Sequence, residues 1–334
     1  MQIVILAGGV GGSAFVLGVR AGYPDATITV IGNTADDITL HGLRICPDLD
    51  TMMYTLGGGS DTHRGWGRQG ESWQVMDELR AYGVEPTWFS LGDRDLGTHL
   101  VRTQMLDAGY PLSQVTAALC SRWLAGDPEL RLLPMTDDRV ETHVTIADPD
   151  LPGARRAVHF QEYWVRLHAA PDALAITRVG VEAARPAPGV LEAIDAAELI
   201  LVAPSNPVVS IGTILNIPGV RDAVRSTAAP VVGVSPIIGG AVVRGMADAC
   251  LTAIGVDTDA AAVARHYASR AAGGPLDGWL VDTVDAGSVA ELARDRVETR
   301  ALPLWMTDET LSAAIAQEAL DLAAHLSGGS LSGG

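Results

Sequence analysis

Four carboxylates near the N-terminus are spaced in a way that suits metal binding. Asp36 and Asp37 are adjacent, and Asp48 and Asp50 stand two residues apart, just before an apolar run that begins at Met52. In an extended segment, residues i and i+2 point to the same side of the chain, so both carboxylates of an Asp-x-Asp pair face one ligand. Such a pair suits an oxygen-preferring divalent cation that bridges phosphates. The alternative interpretation is that Asp48 or Asp50 caps the following helix.

A glycine-rich turn offers a second kind of chemistry, the binding of an anion by the backbone. The segment Gly8-Gly9-Val10-Gly11-Gly12-Ser13 joins a β-branched run at 2–5 to a helical pattern at 14–20. This order brings backbone N–H groups and a helix N-terminus to a phosphate. The segment fits the loose G-x-G-x-x-G/A pattern, but Gly32-Asn33 stands where an NAD site has its acidic residue. A Walker A loop is excluded because the chain contains no lysine.

Polar side chains follow two later strands of the predicted sheet. Ser205 and Asn206 come after an apolar run at 199–203, and Ser235 comes after a second run at 231–234. The carboxyl ends of parallel strands meet at one edge of a sheet, and ligands bind at that edge. We therefore expect these side chains beside the glycine turn, where Ser205, Asn206 and the nearby Ser210 can donate hydrogen bonds to phosphate or hydroxyl groups.

A further segment carries arginines suited to binding a phosphate or a carboxylate. Arg94 lies in Leu91-Gly92-Asp93-Arg94-Asp95, which we interpret as the end of a strand leading into a helix, and Arg102 follows on that helix. The planar guanidinium is the side chain that suits bidentate recognition of such anions. We interpret His99, on the same predicted helix, as a packed histidine rather than a general base, since apolar residues flank it.

The elements that must position these residues form an α/β fold. Apolar runs at 2–5, 26–31, 199–203, 231–234 and 279–281 are separated by helical patterns. This alternation is typical of a Rossmann-like, three-layer fold built on a parallel sheet. We predict a nucleotide-binding core made of residues 1–102 and 176–326, an inserted α+β cap at 103–175 that covers the active site, and a flexible tail at 327–334.

Composition narrows the class of ligand. The formal net charge is −17, which disfavours binding to nucleic acid or to an anionic membrane surface. All 23 cationic side chains are arginine, so lysine chemistry such as a Schiff base is excluded. The three cysteines form no C-x-x-C pair, and no apolar run is long enough to span a bilayer. We therefore expect a cytoplasmic protein that binds small molecules.

Taken together, the motifs resemble the 2-phospho-L-lactate transferase family of coenzyme F-420 biosynthesis, in its actinobacterial phosphoenolpyruvate transferase branch. The resemblance runs from residue 1 to about 310 and is carried, in order, by Gly8-Gly9-Val10-Gly11-Gly12, Asn33-Thr34-Ala35-Asp36-Asp37, Pro47-Asp48-Leu49-Asp50-Thr51, Leu91-Gly92-Asp93-Arg94-Asp95, Pro134-Met135-Thr136-Asp137-Asp138, Phe160-Gln161-Glu162-Tyr163, Pro204-Ser205-Asn206-Pro207 and Ser235-Pro236-Ile237.

The resemblance implies a Mg²⁺-dependent phosphotransferase. Its donor would be enolpyruvyl-2-diphospho-5′-guanosine or the lactyl equivalent, its acceptor the deazaflavin Fo, and its products GMP and dehydro coenzyme F-420-0 or coenzyme F-420-0. The composition favours the enolpyruvyl donor. A homodimer is also implied. The segment Arg244-Gly245-Met246 departs from the Lys-Gly-Pro expected in many relatives, which changes the geometry of a phosphate contact.

The resemblance also implies roles for individual residues. Asp48 and Asp50 would bind Mg²⁺ with Asp37 or Asp36, and Asp50 or Asp48 together with Arg94 would contact Fo. Which aspartate binds the metal and which binds Fo stays open. We expect Asp50→Ala to abolish transfer without affecting folding. The donor would be held by Gly8, Gly9, Gly11, Gly12, Asn33, Ser205, Asn206 and Ser235.

A second interpretation is a non-enzymatic, nucleotide-sugar-binding regulator that resembles the gluconeogenesis factor family. That family shares the glycine opening and the Asn-Thr-x-Asp-Asp segment, here residues 33–37. The Pro-Asp-x-Asp-Thr segment at 47–51 and the Leu-Gly-Asp-Arg segment at 91–94 favour the transferase.

Overall fold

The computed structural model describes residues 1–61 and 64–328, and within these ranges its centre is a seven-stranded parallel sheet. In space the strands follow the order β14-β13-β10-β9-β1-β2-β5. The strands are, in chain order, β1 (Gln2–Ala7), β2 (Thr27–Gly32), β3 (Ile38–Leu40), β4 (Leu43–Ile45), β5 (Leu130–Pro134), β6 (Glu141–Ala147), β7 (Arg155–His159), β8 (Ala175–Val179), β9 (Leu199–Val202), β10 (Val231–Val234), β11 (Ile237–Ile238), β12 (Ala241–Val242), β13 (Gly278–Val281) and β14 (Glu298–Ala301).

Helices cover both faces of this sheet. They are α1 (Gly9–Gly22), α2 (Pro47–Leu56), α3 (Gln74–Ala81), α4 (Asp93–Asp107), α5 (Leu112–Trp123), α6 (Val190–Ala196), α7 (Ile211–Asn216), α8 (Val220–Ser226), α9 (Ala247–Ala253), α10 (Ala260–Tyr267), α11 (Ser288–Arg294) and α12 (Glu309–Leu326). Short turns are π-helical at Glu162–Arg166 and 3₁₀-helical at Val181–Ala183, Arg270–Ala272 and Thr283–Asp285.

Two hydrophobic layers enclose the sheet, which explains its sequence pattern. One layer contains the apolar faces of α1, α2, α5 and α12, and the other contains those of α6 to α11. Every residue of β9 and β10 is therefore buried. Strands that are covered on both faces appear in the sequence as continuous apolar runs, as these two do.

The chain order of the strands places a ligand site at β1. This strand pairs in parallel with β2 on one side and with β9 on the other. The order of the strands reverses here, and the loops that leave the carboxyl ends of β1 and its neighbours diverge and open a crevice. The glycine turn follows β1, Asn33 follows β2, and Ser205 follows β9, so the edge predicted from the sequence is the one on which these residues meet.

The predicted α/β class and parallel sheet are confirmed, while four local features differ from what the sequence predicted. The segment 88–91, interpreted as a strand end, forms no strand. β5 lies in the predicted insertion but pairs with β2 at the end of the main sheet. The edge strand β14 was not expected. The predicted boundary at 175 falls within β8, which pairs with β6 in a separate three-stranded antiparallel sheet with β7.

That antiparallel sheet, called here the cap sheet (β6, β7 and β8), lies over one face of the main sheet. Its residues Val144, Ile146 and Val158 belong to the same hydrophobic layer as α6 to α11. Of the predicted tail, residues 329–334 lie outside the part of the chain that the structure describes. Within that part, no helix is both long enough and apolar enough to cross a lipid bilayer.

Candidate active site

A cavity of about 740 Å³ opens at the carboxyl edge of the sheet. The glycine turn, the first turn of α2 and the loop after β9 form its floor, and the cap contributes Phe160, Gln161 and Trp164 to its wall. Ser205, Asn206 and Ser235 all line it, as predicted. The cavity is thus the place where the separate segments singled out from the sequence come together.

The glycine turn is built to present backbone amides to an anion. Gly8 precedes the first residue of α1 and offers no side-chain cap, so the first N–H groups of the helix remain available. Gly9 has a φ of +60°, which favours glycine. The Ser205 hydroxyl accepts a hydrogen bond from the Gly8 amide at 3.0 Å and donates one to the Gly8 carbonyl at 2.8 Å. Ser205 therefore fixes the turn as well as lining the cavity.

The buried carboxylate of Asp36 and the partly buried carboxylate of Asp48 face the same cavity beside this turn. The Asn33 side-chain amide donates to Asp36 Oδ2 and to Asp48 Oδ2, each at 3.0 Å. Burial raises the pKa of Asp48 to about 6. Burial and then repulsion by Asp48 raise the pKa of Asp36 well above its usual range. Asp36 Oδ1 is buried without a hydrogen-bond partner. Two carboxylates held together in this way fit a divalent cation, which would neutralise their charge.

The predicted ligand pair of Asp48 and Asp50 is not formed, because the segment is helical rather than extended. Residues 47–56 form α2, and side chains two apart on a helix point to different sides. Asp48 faces the glycine turn, where a Cβ added to Gly8 would lie 2.7 Å from Asp48 Oδ2. Asp50 faces α4, where Arg102 donates to both of its carboxylate oxygens. Arg102 is therefore not available to a ligand.

Asp37 is also turned away from the predicted metal site. Its carboxylate pairs with Arg44 at 3.2 Å and does not line the cavity. Burial raises the pKa of Asp37 to about 7, although Arg44 opposes the shift. Of the two adjacent aspartates, Asp36 is thus the one that the structure brings beside Asp48.

Several other predicted residues hold the loops and carboxylates of the site in place through hydrogen bonds. Asn33 and Gly12 do not line the cavity, and Asn33 instead holds the two carboxylates. Asn206 Oδ1 accepts hydrogen bonds from the amides of residues 208 and 209. Ser235 Oγ donates to the Ile237 carbonyl at 2.8 Å. These contacts hold the loops that leave β2, β9 and β10.

Arg94 does not line the cavity. Its side chain is exposed and donates to the Gln69 carbonyl at 3.2 Å. The arginine that does line the cavity, alone of its kind in the described ranges 1–61 and 64–328, is Arg244, which donates to the Gly65 carbonyl at 3.2 Å. The sequence analysis named Arg244 only through the segment Arg244-Gly245-Met246, as part of a phosphate contact; this segment closely follows Gly239-Gly240.

An aromatic wall was largely missed by the sequence analysis. Trp66 and Phe89 come from the loops around α3, and Phe160 and Trp164 come from the segment after β7. Trp66 also packs against Trp73, with 6.1 Å between the ring centroids. The residues come from separate segments, so no spacing rule reveals that they share one cavity. Aromatic side chains of this kind suit a flat ring.

His99 is fully buried, as predicted for a packed histidine, yet it also lines the cavity. Its ring stands next to Asp50 and Asp95, and ligand atoms of the three residues lie within 4.8 Å of one another. Arg102 contacts both His99 and Asp50, and its guanidinium forms an ion pair with Asp50. Asp50 is therefore already paired with a protein cation, in contrast to Asp36 and Asp48.

The fold and the cavity define the class of the protein, a Rossmann-like α/β protein with a glycine turn beside paired carboxylates. The family model described as 2-phospho-L-lactate transferase CofD matches residues 3–317. The chain belongs to this family, so it is a transferase, and the resemblance identified from the motifs is confirmed. The interpretation as a non-enzymatic regulator is not supported.

Similar proteins include several that are named phosphoenolpyruvate transferase. The protein from Streptomyces griseus subsp. griseus is 61% identical over 323 residues, which covers 97% of this chain and 98% of the relative. The protein from Nocardia farcinica is 57% identical over 322 residues, with coverage of 96% and 95%. The protein from Mycobacterium avium is 53% identical over 342 residues, with coverage of 97% and 99%.

Solved structures support the fold. A crystal structure of a UPF0052 family protein from Bacillus halodurans aligns with a TM-score of 0.60 at 16% identity, covering 95% of this chain and 98% of that protein. A second crystal structure from the same organism aligns with a TM-score of 0.62 at 16% identity, with coverage of 96% and 99%. At this identity the likeness concerns the fold alone.

Proposed function

We propose that this protein transfers a phosphoenolpyruvate unit from enolpyruvyl-2-diphospho-5′-guanosine to a hydroxyl of the deazaflavin Fo. The reaction requires Mg²⁺, releases GMP and forms dehydro coenzyme F-420-0, a step of coenzyme F-420 biosynthesis. Relatives with 53% to 61% identity are named phosphoenolpyruvate transferase, which supports the enolpyruvyl donor over the 2-phospho-L-lactate donor. Family membership supports the reaction class.

One observation carries the proposal: a turn with free backbone amides and a pair of carboxylates lie side by side in the same cavity. The free amides at the start of α1 suit a diphosphate, while Asp36 and Asp48 suit the metal ion that accompanies it. A Cβ at Gly8 would meet Asp48 and Ser210, which indicates how closely the turn and the carboxylate approach. A nucleoside diphosphate with Mg²⁺ requires this juxtaposition.

Asp36 and Asp48 are the residues that would hold Mg²⁺, and the unpartnered Asp36 Oδ1 supports this fit. When bound, the ion would neutralise charge on the diphosphate and on the leaving group. The role of the glycine turn is to bind the donor phosphates through N–H groups. Ser205 keeps that turn in place through its two hydrogen bonds with Gly8.

The remaining wall of the cavity carries aromatic side chains and one arginine, which can bind the ring of the acceptor and the carboxylate of the donor. Trp66, Phe89 and Trp164 offer aromatic surface to the flat ring of Fo. Arg244 uses one guanidinium nitrogen on the Gly65 carbonyl and has further N–H groups to offer to a carboxylate or phosphate. Binding by these groups would align the acceptor hydroxyl with the phosphorus atom, and alignment supplies much of the catalysis of phosphoryl transfer.

A direct assay tests the proposal. The purified protein is incubated with Fo and Mg²⁺ and with either the enolpyruvyl or the lactyl donor, and the deazaflavin products are identified by mass. We expect the enolpyruvyl product together with one GMP per product, and no product when EDTA replaces Mg²⁺. Faster turnover of the lactyl donor would overturn the donor assignment, and the absence of any phosphorylated deazaflavin would overturn the proposed reaction.

A further inference from the structure

A chain of buried polar side chains lies along one wall of the cavity, apart from the turn and the proposed metal ligands. Tyr54 Oη donates to Asp95 Oδ1 at 2.5 Å. His99 Nε2 lies 3.3 Å from Asp95 Oδ2, and Arg102 Nη1 lies 3.1 Å from His99 Nδ1. Tyr54, Asp95 and His99 all line the cavity. Tyr54, Asp95 and His99 have no part in binding the donor phosphates or the proposed metal ion.

The direction of these contacts follows from Arg102. A guanidinium only donates hydrogen bonds, so His99 Nδ1 accepts one from Arg102, and a ring hydrogen lies on Nε2. His99 Nε2 lies beside Asp95 Oδ2 at contact distance, and Tyr54 donates its O–H to the other oxygen of Asp95. Burial acts to raise the pKa of Asp95, but His99 and Tyr54 outweigh it and hold that pKa below its usual range.

The backbone of Asp95 is held as firmly as its side chain. Glu71 reaches the start of α4, where its carboxylate accepts hydrogen bonds from the amides of Arg94 at 2.8 Å and Asp95 at 2.9 Å. These amides belong to the first turn of the helix and have no partner within it. Asp95 is thus an ionised carboxylate at a fixed place on the cavity wall.

Access distinguishes Asp95 from the carboxylates around it. Its side chain is 18% exposed, whereas those of His99 and Asp50 are 1% and 6% exposed. Both oxygens of Asp50 are occupied by Arg102, and Asp36 and Asp48 are assigned to the cation. Asp95 Oδ1 accepts one hydrogen bond, from Tyr54, and Asp95 Oδ2 has His99 Nε2 at 3.3 Å, so both oxygens retain a lone pair for a further donor. Asp95 is therefore the ionised carboxylate of this wall that can accept a hydrogen bond from a ligand.

We propose that Asp95 binds the attacking hydroxyl of the acceptor and that Tyr54 and His99 are its positioning residues. This inference rests on the proposed function. In the transfer, the hydroxyl oxygen forms a bond to the phosphorus atom of the phosphoenolpyruvate unit, and the bond from that phosphorus to the GMP oxygen breaks. The hydroxyl proton passes to Asp95 and from there to water, while GMP leaves with the electron pair of the broken bond.

A positioned aspartate that orients a hydroxyl is effective in phosphoryl transfer even when its pKa is low. The transition state is loose, and the nucleophile needs alignment more than early loss of its proton. A hydrogen bond to an ionised carboxylate supplies that alignment at a defined distance and angle. The low pKa of Asp95 keeps the carboxylate in its accepting form across the working pH range.

The test compares Asp95→Asn with Asp107→Asn. Asp107 is the exposed last residue of the same helix and does not line the cavity. For Asp95→Asn we expect kcat to fall by about 10²-fold or more, since general-base groups contribute on that scale, while the dissociation constant for GDP with Mg²⁺ changes less than about twofold. Asp95→Glu should recover part of the loss. Asp107→Asn should retain wild-type kcat.

Tyr54→Phe provides a second test that does not alter the carboxylate. We expect kcat to fall by about tenfold while the KM for the donor is unchanged, because the hydrogen bond that aims Asp95 is lost. A purely structural role would instead change thermal stability and leave kcat of the folded enzyme intact. If Asp95→Asn does not fold, this variant decides the question.

The outcomes separate this inference from the proposed function. If the wild type makes the phosphorylated deazaflavin and Asp95→Asn keeps kcat within about threefold, the role of Asp95 is overturned and the reaction stands. Wild-type kcat in Tyr54→Phe overturns the positioning role. If the wild type makes no phosphorylated deazaflavin, the proposed function and this inference both fail.

Discussion

Arg102 donates to both carboxylate oxygens of Asp50 in the interior of the protein. The two side chains are 2% and 6% exposed, so this is a buried ion pair rather than a ligand waiting for a cation. It connects α4 to α2 at the cavity wall, which Asp50 helps to line. The sequence analysis implied that Asp50 binds Mg²⁺ or Fo. In the structure, both of its oxygens instead accept hydrogen bonds from Arg102.

Asp50→Ala should destabilise the protein, contrary to the expectation from sequence that folding would be unaffected. Removing one partner leaves the Arg102 charge buried and unpaired, which costs about 3–5 kcal/mol. Urea unfolding measures this loss. The double variant Asp50→Leu with Arg102→Leu should lose less than the sum of the two single variants, because no lone charge remains. An unchanged unfolding midpoint for Asp50→Ala would contradict the structural role.

Asp48→Asn and Asp37→Asn should differ in their response to Mg²⁺. The wild-type Tm should rise when Mg²⁺ and GDP are added together, because ligands that bind only the folded state stabilise it. Asp48→Asn should lose most of this rise, since Asp48 faces the cavity beside Asp36. Asp37→Asn should keep it, because Asp37 pairs with Arg44 outside the cavity. Equal losses in the two variants would refute the assignment of the metal to Asp36 and Asp48.

Stability of the metal-free protein should depend on pH through Asp48. Its pKa is raised to about 6 in the folded state, above an unfolded value of about 3.9. The fold therefore favours the protonated form, and the stability that this gives is complete below about pH 4 and is lost as pH rises through about 6. The raised pKa of Asp36 acts in the same direction.

Urea unfolding in EDTA between about pH 4 and pH 8 measures this effect. Asp48→Asn serves as the reference because its side chain does not ionise. We expect the stability of the wild type relative to this variant to fall as pH rises, and added Mg²⁺ to oppose the fall at high pH. A difference that does not change with pH would argue against burial of an ionisable Asp48.

Gly8→Ala should disturb the site although the backbone there is ordinary. Gly8 has a φ of −148°, which any residue adopts, but a Cβ would lie 2.7 Å from both Asp48 Oδ2 and Ser210 Cβ. We expect the affinity for GDP with Mg²⁺ to fall by at least about tenfold, or about 1.4 kcal/mol, in isothermal titration calorimetry.

Gly97→Ala is the matched control for that substitution. Gly97 lies inside α4, and a Cβ there meets no atom within 4 Å. We expect GDP affinity to be unchanged and the free energy of unfolding to rise by about 0.5–1 kcal/mol, because alanine favours a helix more than glycine does. Equal effects of the two substitutions on affinity would show that the close approach at Gly8 is unimportant.

The predicted homodimer and the identity of the acceptor stay predictions, whereas the fold class and the family were accessible from the sequence. Glycine positions, β-branched runs and short polar segments are local signals, and each depends on neighbouring residues only. They located the turn at Gly8 and the polar residues after β2, β9 and β10. The order of these motifs along the chain identified the family.

Other features had a local signal that was interpreted wrongly. Pro47 stands at the first position of α2 with Asp48 and Asp50 in its first turn, a pattern typical of a helix start. Leu49, Met52 and Met53 then repeat at helical spacing and are buried. These signals favour a helix over an extended segment, and a helix directs the two aspartates to different sides.

What the sequence by itself determined is therefore the set of chemical groups, the strand ends that carry them and the family. The tertiary structure decided which groups meet: Asp36 rather than Asp37 beside Asp48, Arg102 on Asp50, and Tyr54 and His99 on Asp95. These partners are up to 52 residues apart in the chain. Pairing over such distances depends on how helices pack across the sheet, which residue spacing does not encode, and packing assigns each carboxylate its partner and its charge.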